Sequence, residues 1–582
     1  MPSKSDWPRR HPSTEGNSSW GTDCRLPTKY FQFDRWSVPV TAAVGVALTL
    51  VYQLVVARTL WLDEEMIALN VRDRGLADLA GPLWLGQSAP FGWLVLERLT
   101  LLLFGPTDTA ARTVPIAFAI ATIVAAYWIG RRWLGPPGAT VLVLLCGLST
   151  WVALYAVELK PYSSDMFWAL FLPGLAAWVA SLSDRTGPPR ARLVAWWAAA
   201  ACGQWFGNGA TLAMPAGALV LTFFMAKAHG RRGVLAVCWP SLLWIAAFGL
   251  HYGLSIRHTL GSDYLQGYWQ FALPPRGAGS IDTLRWLLEQ IKPLGVKPGG
   301  TDHWALFWIL AVTGLAITSR RTPVLGLTLA AIPLSAFVLA AVRAVPLYER
   351  LSLWVIPALF FGVSAAADGA VRLLGRRQAP RRVAAVASGL VIACAVSVVS
   401  WDMVSNGWVN LATRLPRNAG NHSLDDRSAV AWMLPRLRAT DVVLSTQLGL
   451  PAVWWYGRSS VAPPESGSVV GPQRTPVVHV TYREEGGCTS NLRIALGNAT
   501  RVFVYLGFRF DDVPQGFDGL ILDELRTFGD LIEYREFAEV GRVAVVDLRP
   551  SSTSPRLLPQ RFDETQPLLT GCLAAAVARR WS

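Results

Sequence analysis

The sequence has 582 residues, of which 52% are hydrophobic and 16% charged, with a mean hydropathy of +0.33. Soluble domains carry about 25% charged residues, so this deficit argues against an ordinary soluble protein and favours one whose surface largely faces lipid. The net charge of +14 does not indicate nucleic-acid binding, because the arginines lie mainly in short loops between apolar runs, as in cytoplasmic membrane loops.

Eleven apolar runs are near the roughly 20 residues that a membrane-spanning helix needs. They are 37–57, 110–130, 138–156, 166–182, 193–207, 209–226, 233–252, 303–319, 323–342, 351–367 and 383–401. The sequence therefore predicts a polytopic α-helical membrane protein with about 11 transmembrane helices.

Five basic clusters fall in alternate loops between these runs. They are Arg131/Arg132, Arg185/Arg190/Arg192, Lys227/Arg231/Arg232, Arg320/Arg321 and Arg372/Arg376/Arg377/Arg381/Arg382. The positive-inside rule places all five in the cytoplasm. We expect a multi-pass protein of the cell membrane with a cytoplasmic N-terminal segment, 1–36, and an extracytoplasmic C-terminal part after 402. Segment 1–36 mixes charges and lacks an apolar core, so it is not expected to be a signal peptide. The first apolar run has no small-residue cleavage site and is expected to be a retained anchor.

Four segments are then expected on the outer face of the membrane domain, 37–401: 58–109, 157–165, 251–302 and 343–350. In the first, residues 91–104 form about 21 Å of helix, too short to span comfortably. We interpret them as a juxtamembrane helix started by Pro90. Residues 64–80 are predicted to form an interfacial helix, with Asn70, Arg72, Asp73 and Arg74 on its wet side. Segment 251–302 is expected to contain a helix at 281–291.

The composition changes after 402. Short β-branched runs at 441–446, 477–482, 501–507 and 541–549 alternate with helix-like stretches at 450–457, 491–498 and 516–535. This alternation predicts a C-terminal extracytoplasmic α/β domain at 402–549 with a mainly parallel sheet. No phosphate-binding glycine loop follows the first strand, so no nucleotide is assigned. The Pro-, Ser- and Arg-rich tail, 550–582, is expected to be poorly ordered.

The seven cysteines show no CxxC or Cys/His spacing of a zinc site. Cys488 and Cys572 are the two predicted to lie outside the membrane, where an oxidising compartment permits a disulfide. The alternative is two independent thiols.

Charged side chains gather on the expected outer face, whereas ion-coupled transporters and pumps place theirs at the membrane midplane. Two acidic clusters stand out there: Trp61-Leu62-Asp63-Glu64-Glu65 after the first span, and Glu158-Leu159-Lys160-Pro161-Tyr162-Ser163-Ser164-Asp165 between the third and fourth spans. A purely structural explanation exists for each. Asp63 could cap the following helix, and Glu158 with Lys160 could form a surface ion pair of little energetic value.

Four segments carry a family resemblance in order along the chain: WLDEE (61–65), QSAPFGW (87–93), GRRWLG (130–135) and VELKPYSSD (157–165). Together they resemble the type-C membrane glycosyltransferases, particularly bacterial relatives of protein O-mannosyltransferases and the lipid A aminoarabinose transferases (glycosyltransferase family 39). The resemblance covers about residues 37–200. LYERL (347–351) is a weaker match to the same family. The α/β domain resembles the extracytoplasmic domains of that family.

The resemblance implies a type-C fold, a polyprenyl-phosphate sugar as donor and a reaction at the outer leaflet. Asp63 matches the catalytic aspartate, with Glu64 beside it, and either Asp165 or Glu158 matches the acidic residue of the second outer turn. Lys160 and Arg350 are implied ligands of the donor phosphate. Tyr162 and Tyr348 are further substrate-binding candidates. The chain lacks a Lys in the stretch 87–90, which departs from the aminoarabinose transferases and leaves the phosphate ligands open.

These residue types suit the chemistry. A hydroxyl acceptor is a poor nucleophile, so a carboxylate must take its proton, and a departing phosphate needs positive charge nearby. Alternatively, Lys160 and Arg350 could extend to lipid headgroups. A divalent metal could bridge Asp63 and Asp165, although a monophosphate donor does not require one.

The sequence thus predicts a membrane hexosyl- or pentosyltransferase, inverting, that acts on a cell-envelope lipid, polysaccharide or protein. The rival hypothesis is a non-catalytic lipid-binding or glycolipid-transport protein, which a continuous polar path at the midplane would favour.

Overall fold

The computed structural model describes residues 36–181, 187–375, 382–412, 425–438, 440–446, 448–457, 477–480, 496, 499–507, 517–537 and 541–549. Some expectations concern residues outside this described part. These are segment 1–36 (apart from Trp36), the stretch 491–498 (apart from Leu496), the tail 550–582 and the Cys488–Cys572 pair.

Helices dominate the first 412 residues. They are α1 Ser37–Val56, α2 Leu62–Asp73, α3 Phe91–Phe104, α4 Asp108–Ala111, α5 Thr113–Trp133, α6 Pro136–Leu148, α7 Thr150–Tyr155, α8 Tyr162–Ser181, α9 Arg190–Gly203, α10 Asn208–Cys238, α11 Ser241–His251, α12 Arg257–Leu260, α13 Asp263–Tyr268, α14 Ser280–Glu289, α15 Ile291–Val296, α16 Trp304–Arg321, α17 Pro323–Ala341, α18 Ile356–Leu374 and α19 Arg382–Ala412. Short 3₁₀ turns lie at Asp78–Ala80, Trp84–Gly86, Gln270–Ala272 and Glu349–Val355, and a π turn at Tyr252–Ile256.

Each predicted apolar run lies largely on helix within the described residues, and the chain is a membrane protein. Six helical stretches in the described residues are long and apolar enough to cross a membrane: Ser37–Val56, Asp108–Trp133, Asn208–Leu260, Pro323–Ala341, Glu349–Leu374 and Val383–Leu411. The stretch Asn208–Leu260 has 53 residues and contains two of the predicted runs. The number of spans therefore remains a prediction.

Helix α18 forms the centre of the bundle. Its residues from Ile356 to Ala370 are all buried, whereas α1 exposes Leu48 and Val55 by 64% and 76%. Helices α16 and α18 meet at Gly314 and Gly362, where a side chain on either glycine would collide with the backbone of the other helix. Small residues permit such close approach of membrane helices, so these glycines fix the helix that follows Arg350.

The helices of the loop 58–109 agree only partly with the sequence predictions. Helix α3 has the predicted bounds, with Pro90 as its N-cap, and Leu102 and Leu103 are exposed by 67% and 76%, as suits a juxtamembrane helix. The predicted wet side of the 64–80 segment is wrong for Asn70 and Arg74, which are 0% and 8% exposed. Both side chains are buried because they bind the backbone of the 82–84 turn.

The C-terminal unit contains α20 Asp426–Met433, α21 Leu450–Gly457, α22 Phe517–Phe528 and a 3₁₀ turn, Leu434–Arg436. Its strands are β1 Asp441–Thr446, β2 Val477–Val480, β3 Arg501–Leu506, β4 Gly529–Phe537 and β5 Gly541–Leu548, in the order β2-β1-β3-β5-β4. Strand β1 pairs in parallel with β2 and β3, while β5 pairs antiparallel with β3 and β4.

Two details of the predicted α/β domain are therefore wrong. The expected helix at 516–535 ends at Phe528, and the following residues form β4, so the sheet is mixed and not mainly parallel. Most of β4 is exposed at the sheet edge. Its polar composition resembles that of a surface helix, and pairing with β5 decides its conformation.

The α/β unit packs directly on the loop 58–109 that follows α1. Arg72 donates to the carbonyl oxygens of Trp454 and Trp455, and the backbone N–H of Leu60 donates to the Tyr456 hydroxyl. One continuous apolar core joins α2 and α3 to the interior of the sheet. This shared core fixes the position of α2, whose first turn carries the acidic cluster.

Candidate active site

Asp63 and Arg350 lie 287 residues apart in sequence and meet as an ion pair. Asp63 stands in the first turn of α2, and its Oδ2 is 2.9 Å from a terminal guanidinium nitrogen of Arg350. The two side chains are 22% and 18% exposed. The guanidinium also lies over the rings of Trp61 and Trp269, 5.6 and 5.9 Å from their centroids. The structure thus brings together the predicted catalytic aspartate and a predicted phosphate ligand.

Glu64 has different partners from Asp63, and these partners give it a structural role. Its carboxylate lies 3.0 Å from Arg112, and both side chains are 3% exposed. It also accepts the backbone N–H groups of Trp61 and Leu159, at 3.1 and 2.8 Å. Burial raises the pKa of Glu64, an effect that Arg112 and the two N–H groups oppose. Both oxygens are occupied, so Glu64 links α2 to the 156–161 turn and is poorly placed to take a proton.

Glu158 and Lys160 lie in that turn, close to the ion pair. Glu158 is 3% exposed, and in the described part of the chain neither of its oxygens has a hydrogen-bond partner. Burial, with Glu64 and Asp63 nearby, raises its pKa to about 8, against the effect of Arg350 and Lys160. Burial also lowers the pKa of Lys160, although Asp63 acts in the opposite direction. The turn therefore places an unpaired carboxyl group and a buried amine beside Asp63.

Gln87 positions Lys160 and was not among the predicted site residues. The Lys160 ammonium donates to Gln87 Oε1 at 2.7 Å. Gln87 follows a tight turn in which Leu85 and Gly86 both have φ of 64°, a left-handed conformation that is costly for leucine. Asn70 holds this turn by bonding both the N–H and the carbonyl of Trp84. The sequence signal for this turn is Gly86 followed by two polar residues, Gln87 and Ser88.

Asp165 binds backbone N–H groups at the start of α10. Its Oδ1 accepts the backbone N–H of Gly209 at 2.9 Å, and the N–H of Asn208 also binds this carboxylate. Gly207 and Gly209 pack so closely against it that neither has room for a side chain. These contacts account for the burial of Asp165 by capping the N-terminus of α10. In the described part of the chain, no group of three or more His, Cys, Asp or Glu side chains has metal-binding geometry.

The two predicted tyrosines form aromatic walls. Tyr162 begins α8, is 8% exposed and packs edge-on against Tyr155, with ring centroids 5.3 Å apart. Tyr348 packs edge-on against Phe271 at 4.9 Å and lies 5.9 Å from Trp269. Trp269 also contacts the Arg350 guanidinium. Tyr348 therefore lies on the same side of the site as Arg350.

The assembled cluster has two carboxyl groups and two cations within electrostatic range: Asp63, Glu158, Lys160 and Arg350. The cations can bind an anion such as a phosphate, and a carboxylate released from its ion pair can accept a proton. The cluster lies where the loops 58–109 and 156–161 meet the segment preceding α18.

The sequence matches no protein-family model and no curated protein. Among solved structures, the chain is similar to ArnT from Cupriavidus metallidurans in its apo state, with a TM-score of 0.50 and 15% identity over 87% of this chain and 97% of that one. ArnT bound to undecaprenyl phosphate gives a TM-score of 0.49, 15% identity and coverages of 89% and 99%. The Archaeoglobus fulgidus oligosaccharyltransferase in its apo form gives 0.47, 10% identity and coverages of 90% and 76%.

The apo ArnT comparison spans nearly the whole of both chains. It confirms the fold that the resemblance implied, a type-C membrane glycosyltransferase fold with a C-terminal α/β unit. At 15% identity the likeness is one of fold.

Proposed function

We propose that this protein is an inverting membrane glycosyltransferase that moves a sugar from a polyprenyl-phosphate donor to a hydroxyl group of a cell-envelope lipid, polysaccharide or protein. The observation that carries the proposal is the Asp63–Arg350 pair with Lys160 and Glu158 beside it. The cluster combines an anion-binding pair of cations with a partly exposed carboxylate. The shared fold supports the same function, and ArnT is itself a protein that binds undecaprenyl phosphate.

The cations would bind the donor phosphate. Arg350 and Lys160 supply charge-assisted hydrogen bonds, which are the strong ones for phosphate oxygens. Arg350 is paired with Asp63, so an arriving phosphate replaces the carboxylate as the partner of the guanidinium. Donor binding then frees Asp63 next to the sugar, and the phosphate stabilises the Arg350 charge in its place.

The transfer step follows from this exchange. The acceptor oxygen attacks the anomeric carbon from the face opposite the phosphate, and the bond from that carbon to the phosphate oxygen breaks. The bonding electron pair leaves with the phosphate, whose negative charge is stabilised by Lys160 and Arg350. The acceptor proton passes to Asp63. Attack from the opposite face inverts the configuration of the anomeric carbon.

We further propose that the reaction takes place on the extracytoplasmic side, with the N-terminus in the cytoplasm and the α/β domain outside. The distribution of basic loops supports this orientation. In it, the lipid chain of the donor stays in the outer leaflet while its phosphate reaches the cluster between the outer loops.

The Asp63→Asn variant tests the proposal. Asn keeps the size and helix-capping ability of Asp, so folding and donor binding should be retained while turnover falls about 10²–10⁴-fold, the usual loss with a general base. Lys160→Ala should instead weaken donor binding. The matched control is Asp73→Asn, which alters a carboxylate of the same helix paired with Arg72 and should leave turnover unchanged.

The measurement is turnover per folded molecule with a panel of polyprenyl-phosphate sugars. Near-wild-type turnover of Asp63→Asn would show that the base lies elsewhere, with Glu158 next in position. Donor binding without any consumption by the wild-type protein would favour the rival function, a lipid-binding or glycolipid-transport protein.

A further inference from the structure

The turn that carries Arg350 has a strained backbone. Glu349, the residue before it, has φ of 26°, in the left-handed region that residues other than glycine adopt at a cost. Tyr348 is extended, with φ of −153° and ψ of 127°, so the chain changes direction sharply at Glu349. Strained backbone of this kind persists where its surroundings over-determine it, often at ligand sites. The contacts that direct Glu349 therefore bear on the neighbouring Arg350.

Hydrogen bonds fix the chain on both sides of the strained residue. The N–H of Leu347 donates to the carbonyl of Ala272 at 3.0 Å. The N–H of Tyr348 donates to the hydroxyl of Ser352 at 3.0 Å, and its carbonyl accepts the N–H of Leu351 at 2.8 Å. These bonds hold the ends of the turn, whereas the two charged side chains between them are directed by partners of their own.

The two adjacent charges of the turn have partners on different elements. Arg350 pairs with Asp63 of α2. The Glu349 carboxylate lies 3.6 Å from the ammonium of Lys297, in the loop between α15 and α16, and the two side chains are 27% and 38% exposed. The same ammonium lies 4.6 Å from the ring centroid of Trp151, within the range of a cation–π contact. A carboxylate and an aromatic ring thus hold the lysine between them.

The loop of Lys297 is itself anchored on two helices. The carbonyl of Gly300 accepts the hydroxyl of Thr150 at the start of α7, at 2.9 Å. The next residue, Thr301, donates its hydroxyl to Asp402 of α19 at 2.6 Å. Gly300 has φ of 99°, a conformation that glycine adopts without strain. Because the loop is fixed this close to Lys297, the fold places the lysine beside the turn independently of the ion pair.

A carboxylate next to Arg350 opposes the binding of an anionic donor for two reasons. A negative charge near the bound phosphate repels it. A carboxylate also competes with the phosphate for the guanidinium, because both anions fit the same fork of N–H donors. Asp63 is one such competitor, and the donor has to displace it. Glu349 would be a second, and its pairing with Lys297 neutralises its charge and engages its carboxylate elsewhere.

We propose that Lys297 is a positioning residue of the donor site. By pairing with Glu349 it keeps that carboxylate from Arg350, so that the guanidinium stays available to the donor phosphate. Lys297 acts through Glu349 and does not touch the donor. This inference rests on the proposed function and adds to it a residue that controls how tightly the donor binds.

Variants of the pair are tested in the full-length protein in lipid nanodiscs. The Kd for undecaprenyl phosphate is measured directly, and KM and kcat are measured with the polyprenyl-phosphate sugar of the panel that the wild-type protein consumes fastest. Lys297→Met keeps the bulk of the side chain and removes its charge. It should raise Kd and KM about fivefold, the upper end of what a partly exposed ion pair contributes, and leave kcat unchanged. Lys297→Arg should keep the wild-type values.

The double variant Lys297→Met/Glu349→Gln distinguishes positioning from direct contact with the donor. Once the carboxylate is neutral it no longer competes for Arg350, so Kd and KM should return to within about twofold of the wild-type values. A lysine that bound the phosphate itself would leave the double variant as weak as Lys297→Met. The matched control is Lys292→Met, which removes an exposed lysine from the neighbouring helix α15 and should behave like the wild type.

Wild-type Kd in Lys297→Met, or no recovery in the double variant, would overturn the positioning role. If the wild-type protein consumes donor while Lys297→Met has no effect, the positioning role is refuted and the proposed function stands. Binding of undecaprenyl phosphate that depends on Lys297 and recovers in the double variant, without consumption of any donor, supports the positioning role and counts against the proposed function. A wild-type protein that neither binds undecaprenyl phosphate nor consumes donor would refute both.

Discussion

Glu64 and Asp63 are adjacent in sequence, and the structure predicts opposite consequences for their substitution. Glu64 and Arg112 form a buried pair, and removing one partner of such a pair costs about 3–5 kcal/mol because the other charge is left buried without compensation. Asp63 and Arg350 are partly exposed, and exposed pairs contribute about 0–1 kcal/mol. Glu64 substitutions should therefore reduce stability, and Asp63→Asn should reduce turnover.

The contacts of Arg112 determine how much stability Glu64→Gln should lose within the range of about 3–5 kcal/mol. The guanidinium also donates to the carbonyl oxygens of Val157 and Thr59, at 2.8 and 3.2 Å, and these still solvate it when the carboxylate is neutralised. Gln can in addition keep accepting one of the two backbone N–H groups, of Trp61 or of Leu159, because these bind different carboxylate oxygens. We expect a loss of about 3 kcal/mol for Glu64→Gln and about 5 kcal/mol for Glu64→Ala, which abandons those N–H groups as well.

The free energy of unfolding is measured in detergent by tryptophan fluorescence, for which the 27 tryptophans give a strong signal. Turnover per folded molecule is measured on the same preparations, with Asp63→Asn as the matched variant. If Glu64→Gln unfolds like the wild type but loses turnover, Glu64 acts in the chemistry and the bracing role is wrong.

Three further predictions address charge and topology. Burial raises the pKa of Glu158 to about 8, so its ionisation above that pH should repel the donor phosphate and raise KM, and in Glu158→Gln the pH profile of KM should be flatter. Burial and Asp425 raise the pKa of Asp426 to about 8, and it hydrogen-bonds Glu65 of α2. Its proton therefore stabilises the fold most fully at acidic pH, and this contribution is lost as the pH rises through about 8. The protection of the α20 amides, corrected for the intrinsic exchange rate at each pH, should fall as the pH rises towards 8 in the wild type but not in Asp426→Asn. A cysteine placed at Arg321 should resist a membrane-impermeant thiol reagent applied to intact cells, and labelling there would reverse the proposed orientation.

Much of the architecture follows from the sequence because it depends on local composition. Apolar runs must form helices in lipid, where every backbone polar group needs a partner within the chain, and each predicted run lies largely on helix within the described residues. Helix α3 and strand β1 have the predicted bounds. The sequence predicts helix through residue 535, which includes much of strand β4. The prediction fails there because an exposed edge strand lacks the alternating apolar pattern by which strands are recognised.

The sequence also placed Asp63, Glu158, Lys160 and Arg350 among the candidates, but it could not distinguish their roles. Only the packing of α18 against its neighbours brings Arg350 to Asp63, and only the position of Arg112 shows that Glu64 is a brace. The burial of Asn70 follows from its bonds to the Trp84 turn. Such contacts join residues distant in the chain, and their energies depend on burial and mutual distance, which local composition does not specify and the tertiary structure alone decides.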